Sequence, residues 1–331
     1  MTKRALGKSG IETSAIGFGL WAVGGPWTFN GTPGGWGAVD DAESIDSIRL
    51  AMDMGVTLFD TAANYGAGHS ERVLGKAIAG KRDKVQIATK FGYEVDEARK
   101  SVRFYGPTEE TGYVSAYVRR DLEASLSRLG TDYIDLYFLH VWGLEMPRAL
   151  EVREELDKLV AEGKIRSYGW STDRPDAIEQ FAGHPGCAAV MQQFSVLDGN
   201  QELLSLCEKK GLASLMRGPL GMGLLTGKFT ADSKFGSDDV RSAMAWHPGY
   251  KDGKPTKEWL GALESVRGVL TEGGRTLAQG ALGWLLAKSP VAIPMPGFRN
   301  RKQIEENAGA LAKGPLSPAA MAEIERILGR G

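Results

Sequence analysis

Short apolar runs recur along the chain, separated by stretches in which apolar residues return every three or four positions. Runs at 14–17, 56–60, 85–90, 133–140, 165–171, 188–194, 213–217 and 291–294 predict eight strands. Stretches at 41–54, 70–79, 113–129, 151–161, 176–182, 201–210 and 275–287 predict the helices between them. Runs such as Leu136-Tyr137-Phe138-Leu139 lack the alternation of a half-solvated strand, so both faces should be covered, as in a parallel sheet flanked by helices. Gly130 and Gly163 stand where a helix end needs a left-handed residue. Ser171, Thr172 and Asp173 offer N-caps ahead of Pro175, which suits a first helical turn. Eight strand–helix units favour a closed α/β barrel, the (β/α)8 TIM-barrel architecture, over an open doubly wound sheet. With no linker and no repeat of fixed period, residues 1–331 read as one domain.

Three stretches break the alternation. Residues 2–13 read as an N-terminal β-hairpin turning between Gly7 and Gly10. Residues 23–38, with Gly24-Gly25-Pro26-Trp27 and Gly34-Gly35-Trp36, read as a long loop at the face where the strands end. Residues 221–257 have weak periodicity, and 259–270 after them reads as an inserted helix. Long loops in compact domains are usually functional or disordered.

Composition narrows the class without naming an activity. The chain carries 40 Lys+Arg against 41 Asp+Glu, a net charge of −1, which gives no electrostatic reason to expect nucleic acid or an anionic membrane as partner. No apolar run reaches the roughly 18 residues of a membrane helix, and the first residues lack a signal-peptide core. Two cysteines, Cys187 and Cys207, and four histidines have no metal-ligand spacing, so no metal is expected. A cytoplasmic, reducing location is the expectation.

The chemistry sits where the apolar runs end. Asp60 closes Leu58-Phe59-Asp60, Tyr65 follows in the same segment, Lys90 closes Ile87-Ala88-Thr89-Lys90, and His140 closes Leu136-Tyr137-Phe138-Leu139-His140. In a parallel barrel these positions form the catalytic rim. Each residue alone has an ordinary structural reading; all four at successive strand ends do not. A phenol near pKa 10 is a weak acid at neutral pH, and a neighbouring ammonium should lower that value while a carboxylate holds the ammonium in place. An imidazole can orient a substrate oxygen. The set suits proton transfer to a carbonyl oxygen as a hydride reaches carbon.

On these residues the chain resembles the aldo-keto reductases along nearly its whole length. Phe59-Asp60-Thr61-Ala62-Ala63-Asn64-Tyr65-Gly66 followed by Ser70-Glu71 is similar to the family's signature, and Lys90 and His140 match the rest of its catalytic tetrad. The resemblance implies an (α/β)8 barrel that binds NADP(H) without a Rossmann domain. It implies that Ser171, Thr172 and Gln192 meet the nicotinamide end, Thr172 standing where Asn is usual. Arg217 occupies the place of a ring-stacking aromatic residue, beside Gly218, Pro219 and Leu220. The segment with Gly221, Gly223 and Lys228 resembles a pyrophosphate loop, and Gly297, Arg299, Gln303, Glu306 and Asn307 match the adenosine-binding loop and helix. Gly297 and Gln303 replace cations common in the family, which leaves Arg299 and the helix start to receive a 2′-phosphate.

Trp21, Trp27, Trp36, Trp142 and the 221–257 loop are the expected substrate pocket, since indole faces suit sugars and fused rings. These readings converge on an NADP(H)-dependent reduction of an aldehyde or ketone, sugar-like or bulky, with Tyr65 as general acid and a small molecule as partner. Two alternatives stay open: an aldose or alcohol dehydrogenase working in the oxidative direction, and a nucleotide-sensing regulatory subunit. A glycosidase is disfavoured, because no strand-end carboxylate pair remains once Asp60 is committed to Lys90. Oligomeric state is not legible.

Overall fold

The computed structural model describes residues 2–244 and 246–330. Eight parallel strands follow one another around a single sheet: Phe18–Gly19, Leu58–Asp60, Gln86–Phe91, Leu136–Leu139, Tyr168–Ser171, Cys187–Gln193, Ala213–Arg217 and Ala292–Pro294. The first meets the last through Gly17 N–H to Pro294 O at 3.1 Å and Gly19 N–H to Pro296 O at 3.0 Å, which closes the barrel. Helices Asp41–Asp53, His69–Ile78, Val118–Leu129, Met146–Ala161, Pro175–Phe181, Gln201–Lys210, Leu277–Lys288 and Arg301–Lys313 return the chain from each strand end. Lys257–Leu270 is the inserted helix, and Pro318–Ile327 ends the fold. No helix among the described residues is long and apolar enough to cross a membrane.

Alternation along the strands divides the core. Leu58, Ala88, Leu136, Phe138, Met191, Leu215 and Ile293 fill the barrel interior together with Leu6 and Ile11 of the hairpin. Phe59, Ile87, Tyr137, Leu139, Trp170 and Val190 face the helices in a second cluster. The hairpin pairs Lys3–Ala5 with Glu12–Ser14 and so uses the backbone of Ser14. That is why the first barrel strand starts at Phe18 and not within 14–17.

Other boundaries move for local reasons. Met146–Ala161 starts before the expected 151 because Pro147 fits its first turn. A 3-10 turn at Ser115–Tyr117 precedes Val118–Leu129. Ser171 belongs to a strand, and Pro175–Phe181 begins after Arg174 without a side-chain cap. Gly130 takes the left-handed C-terminal position as expected, with φ 66°. Over the rim a small sheet of Thr28–Phe29, Thr32–Pro33, Glu94–Asp96 and Ser101–Arg103 joins two loops distant in sequence.

Candidate active site

The two-residue period of the strands builds the rim. Two positions beyond the interior residues Leu58, Ala88, Phe138, Met191 and Leu215 come Asp60, Lys90, His140, Gln193 and Arg217, on the same inward face. Lys90 has no exposed side-chain surface, and its three donors are all taken. It reaches Asp60 Oδ2 at 2.7 Å, Thr61 O at 2.7 Å and the Tyr65 hydroxyl at 3.2 Å. The loop that carries Tyr65 lies against the 24–25 turn so closely that a Cβ on Gly66 would fall 2.0 Å from Gly24 O, and Gly66 has φ +64°. Trp21 stacks on the Tyr65 ring at 5.9 Å between centroids, and His140 meets it edge-on at 6.1 Å. Tyr93 supports His140 from behind: its hydroxyl lies 3.0 Å from both His140 O and Glu109 Oε1. His140 Nδ1 has no partner among the described residues.

Burial governs the proton affinities. It raises Asp60 above its usual 3.8, with Lys90 pulling the other way. For Lys90, burial pulls down, but Asp60 and Tyr65 outweigh it and the net shift is upward from 10.5. The ammonium therefore stays charged at neutral pH. Tyr65 is raised above 10.0: burial disfavours phenolate more than Lys90 favours it. The expected lowering of the phenol is thus reversed, and the residue keeps its proton. Burial, Lys90 and Arg217 hold His140 well below 6.5, so the imidazole is neutral.

Two cavities meet at these groups. A long one of about 370 Å³ runs from Trp21, Asp60 and Tyr65 past Arg217, Gly218, Pro219 and Leu220 to Gly223, Lys228, Gly297, Arg299, Gln303, Glu306 and Asn307. Trp36, expected in the substrate pocket, lines this cavity and not the second, wider one, and Met222 and Arg241 line it too. A wider one of about 1080 Å³ is bordered by Trp21, Trp27, Tyr65, His140, Trp142 and Ser171, and by residues that the sequence did not single out. Those are Asn64, Tyr93, Glu109, Asp173, Gln193, Asp198 and Asn200; Trp246 and His247, from the expected 221–257 loop, border it too.

The far end of the long cavity fits a dinucleotide. Asn300 caps helix Arg301–Lys313 by accepting from Gln303 N–H at 3.0 Å, which leaves a helix start beside the Arg299 cation. Gly218 and Gly223 have φ +64° and +99°, and bare backbone there can approach a phosphate. Burial, with the Arg241 and Arg299 cations, pushes the Lys228 pKa down against the pull of Asp239 and Glu306.

Of the expected cofactor residues, Ser171 borders the wide cavity and not the long one, and three more line neither. Gln192 faces the outer layer and donates to Ser214 Oγ at 2.8 Å, while Gln193 reaches the rim. Thr172 donates to Trp142 O at 3.2 Å and lines neither cavity. Gly221 shapes the turn, since a Cβ there would come 2.9 Å from Trp259. Arg217 borders both cavities and is held by the Asp173 carboxylate and, at 3.4 Å, by Gln193 Oε1.

Known proteins place this architecture. The family model described as "Aldo/keto reductase family" matches residues 15–328. The chain is 31% identical over 318 residues to the NADH-specific methylglyoxal reductase of Escherichia coli, covering 94% of each protein. It is similar to the structure of the glycerol dehydrogenase AKR11B4 from Gluconobacter oxydans, with a TM-score of 0.82, 30% identity and coverage of 99% and 95% of the two chains. It is also similar to an aldo/keto reductase from Klebsiella pneumoniae solved with NADP and acetate, with a TM-score of 0.70, 25% identity and coverage of 100% and 97%. A barrel with this rim, matched over nearly its whole length, belongs to the aldo/keto reductase family.

Proposed function

We propose that the protein is an NADP(H)-dependent oxidoreductase that reduces a polar, hydroxylated aldehyde or ketone to the alcohol. The observation that carries this reading is the Lys90 ammonium bonded at once to Asp60, Thr61 O and the Tyr65 hydroxyl, where the two cavities meet. Bound nicotinamide supplies the hydride. Gly218, Gly223, Lys228, Arg241 and Arg299 would hold the phosphates, and Glu306 and Asn307 the adenosine end. Arg299 and the capped helix start favour a 2′-phosphate, in line with the NADP complex of the Klebsiella pneumoniae relative.

His140, held neutral by burial and bordering the wide cavity edge-on to the Tyr65 ring, orients the carbonyl oxygen toward Tyr65. Tyr65 donates its proton to that oxygen as negative charge develops on it. Lys90 stabilises the phenolate left behind, and Asp60 fixes Lys90 in place. Trp21 screens the reacting groups from water. Carboxylates and amides at Asn64, Glu109, Asp198 and Asn200, among the indoles of Trp27, Trp142 and Trp246, suit hydroxyl groups and a sugar face.

A second reading, oxidation of a polyol, is favoured by the likeness to a glycerol dehydrogenase. One experiment tests both: initial rates with NADPH and NADH against aldoses, aromatic aldehydes and ketones, and with NADP⁺ against the matching alcohols. Turnover with hydroxylated carbonyls supports the proposal. Faster alcohol oxidation at neutral pH favours the second reading, and no turnover in either direction defeats both. Equal dissociation constants for NADPH and NADH would remove the 2′-phosphate role of Arg299.

A further inference from the structure

The two cavities share Trp21, Tyr65, Arg217, Gly218 and Met222. A carbonyl that takes its proton from Tyr65 must receive its hydride within that junction, so the ring that carries the hydride must lie there. Of the five junction residues, Arg217 is the one with a full charge at neutral pH. Its partner Asp173 borders the wide cavity but not the long one, so the positive member of the pair lies nearer the cofactor channel. Asp173 is itself fixed, accepting from Gln193 N–H at 2.6 Å, and Gln193 Oε1 also holds the guanidinium.

Resting on the reading of the long cavity as an NADP(H) site, we propose that Arg217 lies against the nicotinamide and makes the protein hold the reduced cofactor in preference to the oxidised one. Oxidised nicotinamide bears a positive charge on the ring and the reduced form does not. A cation in contact disfavours only the oxidised form, and half-burial keeps solvent from screening the repulsion away. The same charge is felt at the tetrad: beside the larger effect of burial, Arg217 pulls down the pKa of both Tyr65 and His140. Asp173 is the positioning residue, which aims the guanidinium and offsets part of its charge. A spent cofactor that is weakly held leaves quickly, which suits a reductase.

The test is equilibrium titration of the whole protein with NADP⁺ and with NADPH, followed by quenching of tryptophan fluorescence at fixed ionic strength. The readout is the ratio of the two dissociation constants. Wild type should bind NADPH more tightly. Arg217→Gln should shrink the ratio about tenfold, mainly by tightening NADP⁺. Arg217→Lys, which keeps the charge, should stay near wild type. Asp173→Asn keeps an acceptor for Gln193 N–H but removes the offsetting charge, and should widen the ratio; a merely structural role would leave it unmoved. A ratio within twofold of wild type in Arg217→Gln overturns the inference, and if that variant does not fold, an unmoved ratio in Asp173→Asn does so. If wild type binds neither form, the dinucleotide reading fails instead.

Discussion

At the scale of single residues, the tetrad combines a buried ion pair with a proton donor that keeps its proton. Tyr65→Phe should lower kcat by about 10²–10⁴-fold while the NADPH dissociation constant stays within about threefold, because the hydroxyl acts in proton transfer and the ring keeps its stack on Trp21. Near-wild-type kcat in stopped-flow and steady-state assays would defeat the assignment. The pH dependence follows from the signs. Tyr65 is raised above 10.0 and donates only while protonated; His140 lies well below 6.5 and is already neutral. Reductive kcat/KM should therefore be level between about pH 6.5 and 9 and fall only on the alkaline side. A midpoint near neutrality would mean that some other group is the acid. Lys90→Met leaves Asp60 buried without its partner and should cost about 3–5 kcal/mol of stability by urea unfolding, part of which Asp60→Asn in the same chain should restore. The residue types were legible because acid, amine and imidazole each close an apolar run. The direction of the Tyr65 shift was not, because the depth of burial follows from Trp21 and the 24–25 turn, which approach from another part of the chain.

At the scale of elements, strands were legible where their apolar runs are long, and the errors share one cause. A run shows that a strand exists but not which of its neighbours already uses the backbone. Ser14 therefore fell to the hairpin, and the rim sheet that joins 28–33 to 94–103 left no signal in either loop. The misplaced glutamine was recoverable in principle. Counting in twos from Met191 and Leu215 reaches Gln193 and Arg217 on one face, and puts Gln192 on the other. At the far end of the cofactor channel, helix Arg301–Lys313 depends on the Asn300 cap, and Gln303 Oε1 returns to accept from Arg299 N–H at 2.7 Å. Asn300→Ala should cost about 1 kcal/mol in thermal or urea unfolding. It should also weaken NADPH binding severalfold with kcat at saturation unchanged, since the helix start is disturbed and the tetrad is not. Unchanged affinity in a destabilised variant would detach the helix start from cofactor binding.

At the scale of the whole molecule, the barrel separates what holds it together from what it does. One end carries the tetrad, both cavities and the loops that meet above them, where Val240 N–H donates to Gly35 O at 2.7 Å and the Arg299 guanidinium to Ala38 O at 2.6 Å. The other end is closed by the hairpin, with Leu6 and Ile11 packed into the interior cluster among Ala189, Ala213 and Leu215. Gly7 fits there only without a side chain, since a Cβ would lie 2.2 Å from Ala188 O. The layers of the barrel interior separate this plug from the rim, so a loss of packing at the bottom can lower global stability without moving Lys90 or Tyr65. Leu6 is fully buried, and Leu6→Ala should leave a cavity at a site whose backbone is pinned by the Lys3–Ser14 pairing and cannot collapse onto it. A cost of about 2–5 kcal/mol in urea unfolding is expected, with the slope of the transition unchanged. At 25 °C, where the variant remains folded, kcat and the NADPH dissociation constant should stay within about twofold of wild type. If kcat falls in step with stability, the two ends are coupled through the barrel interior, and the rim is held in place by the hairpin plug as much as by its own ion pair.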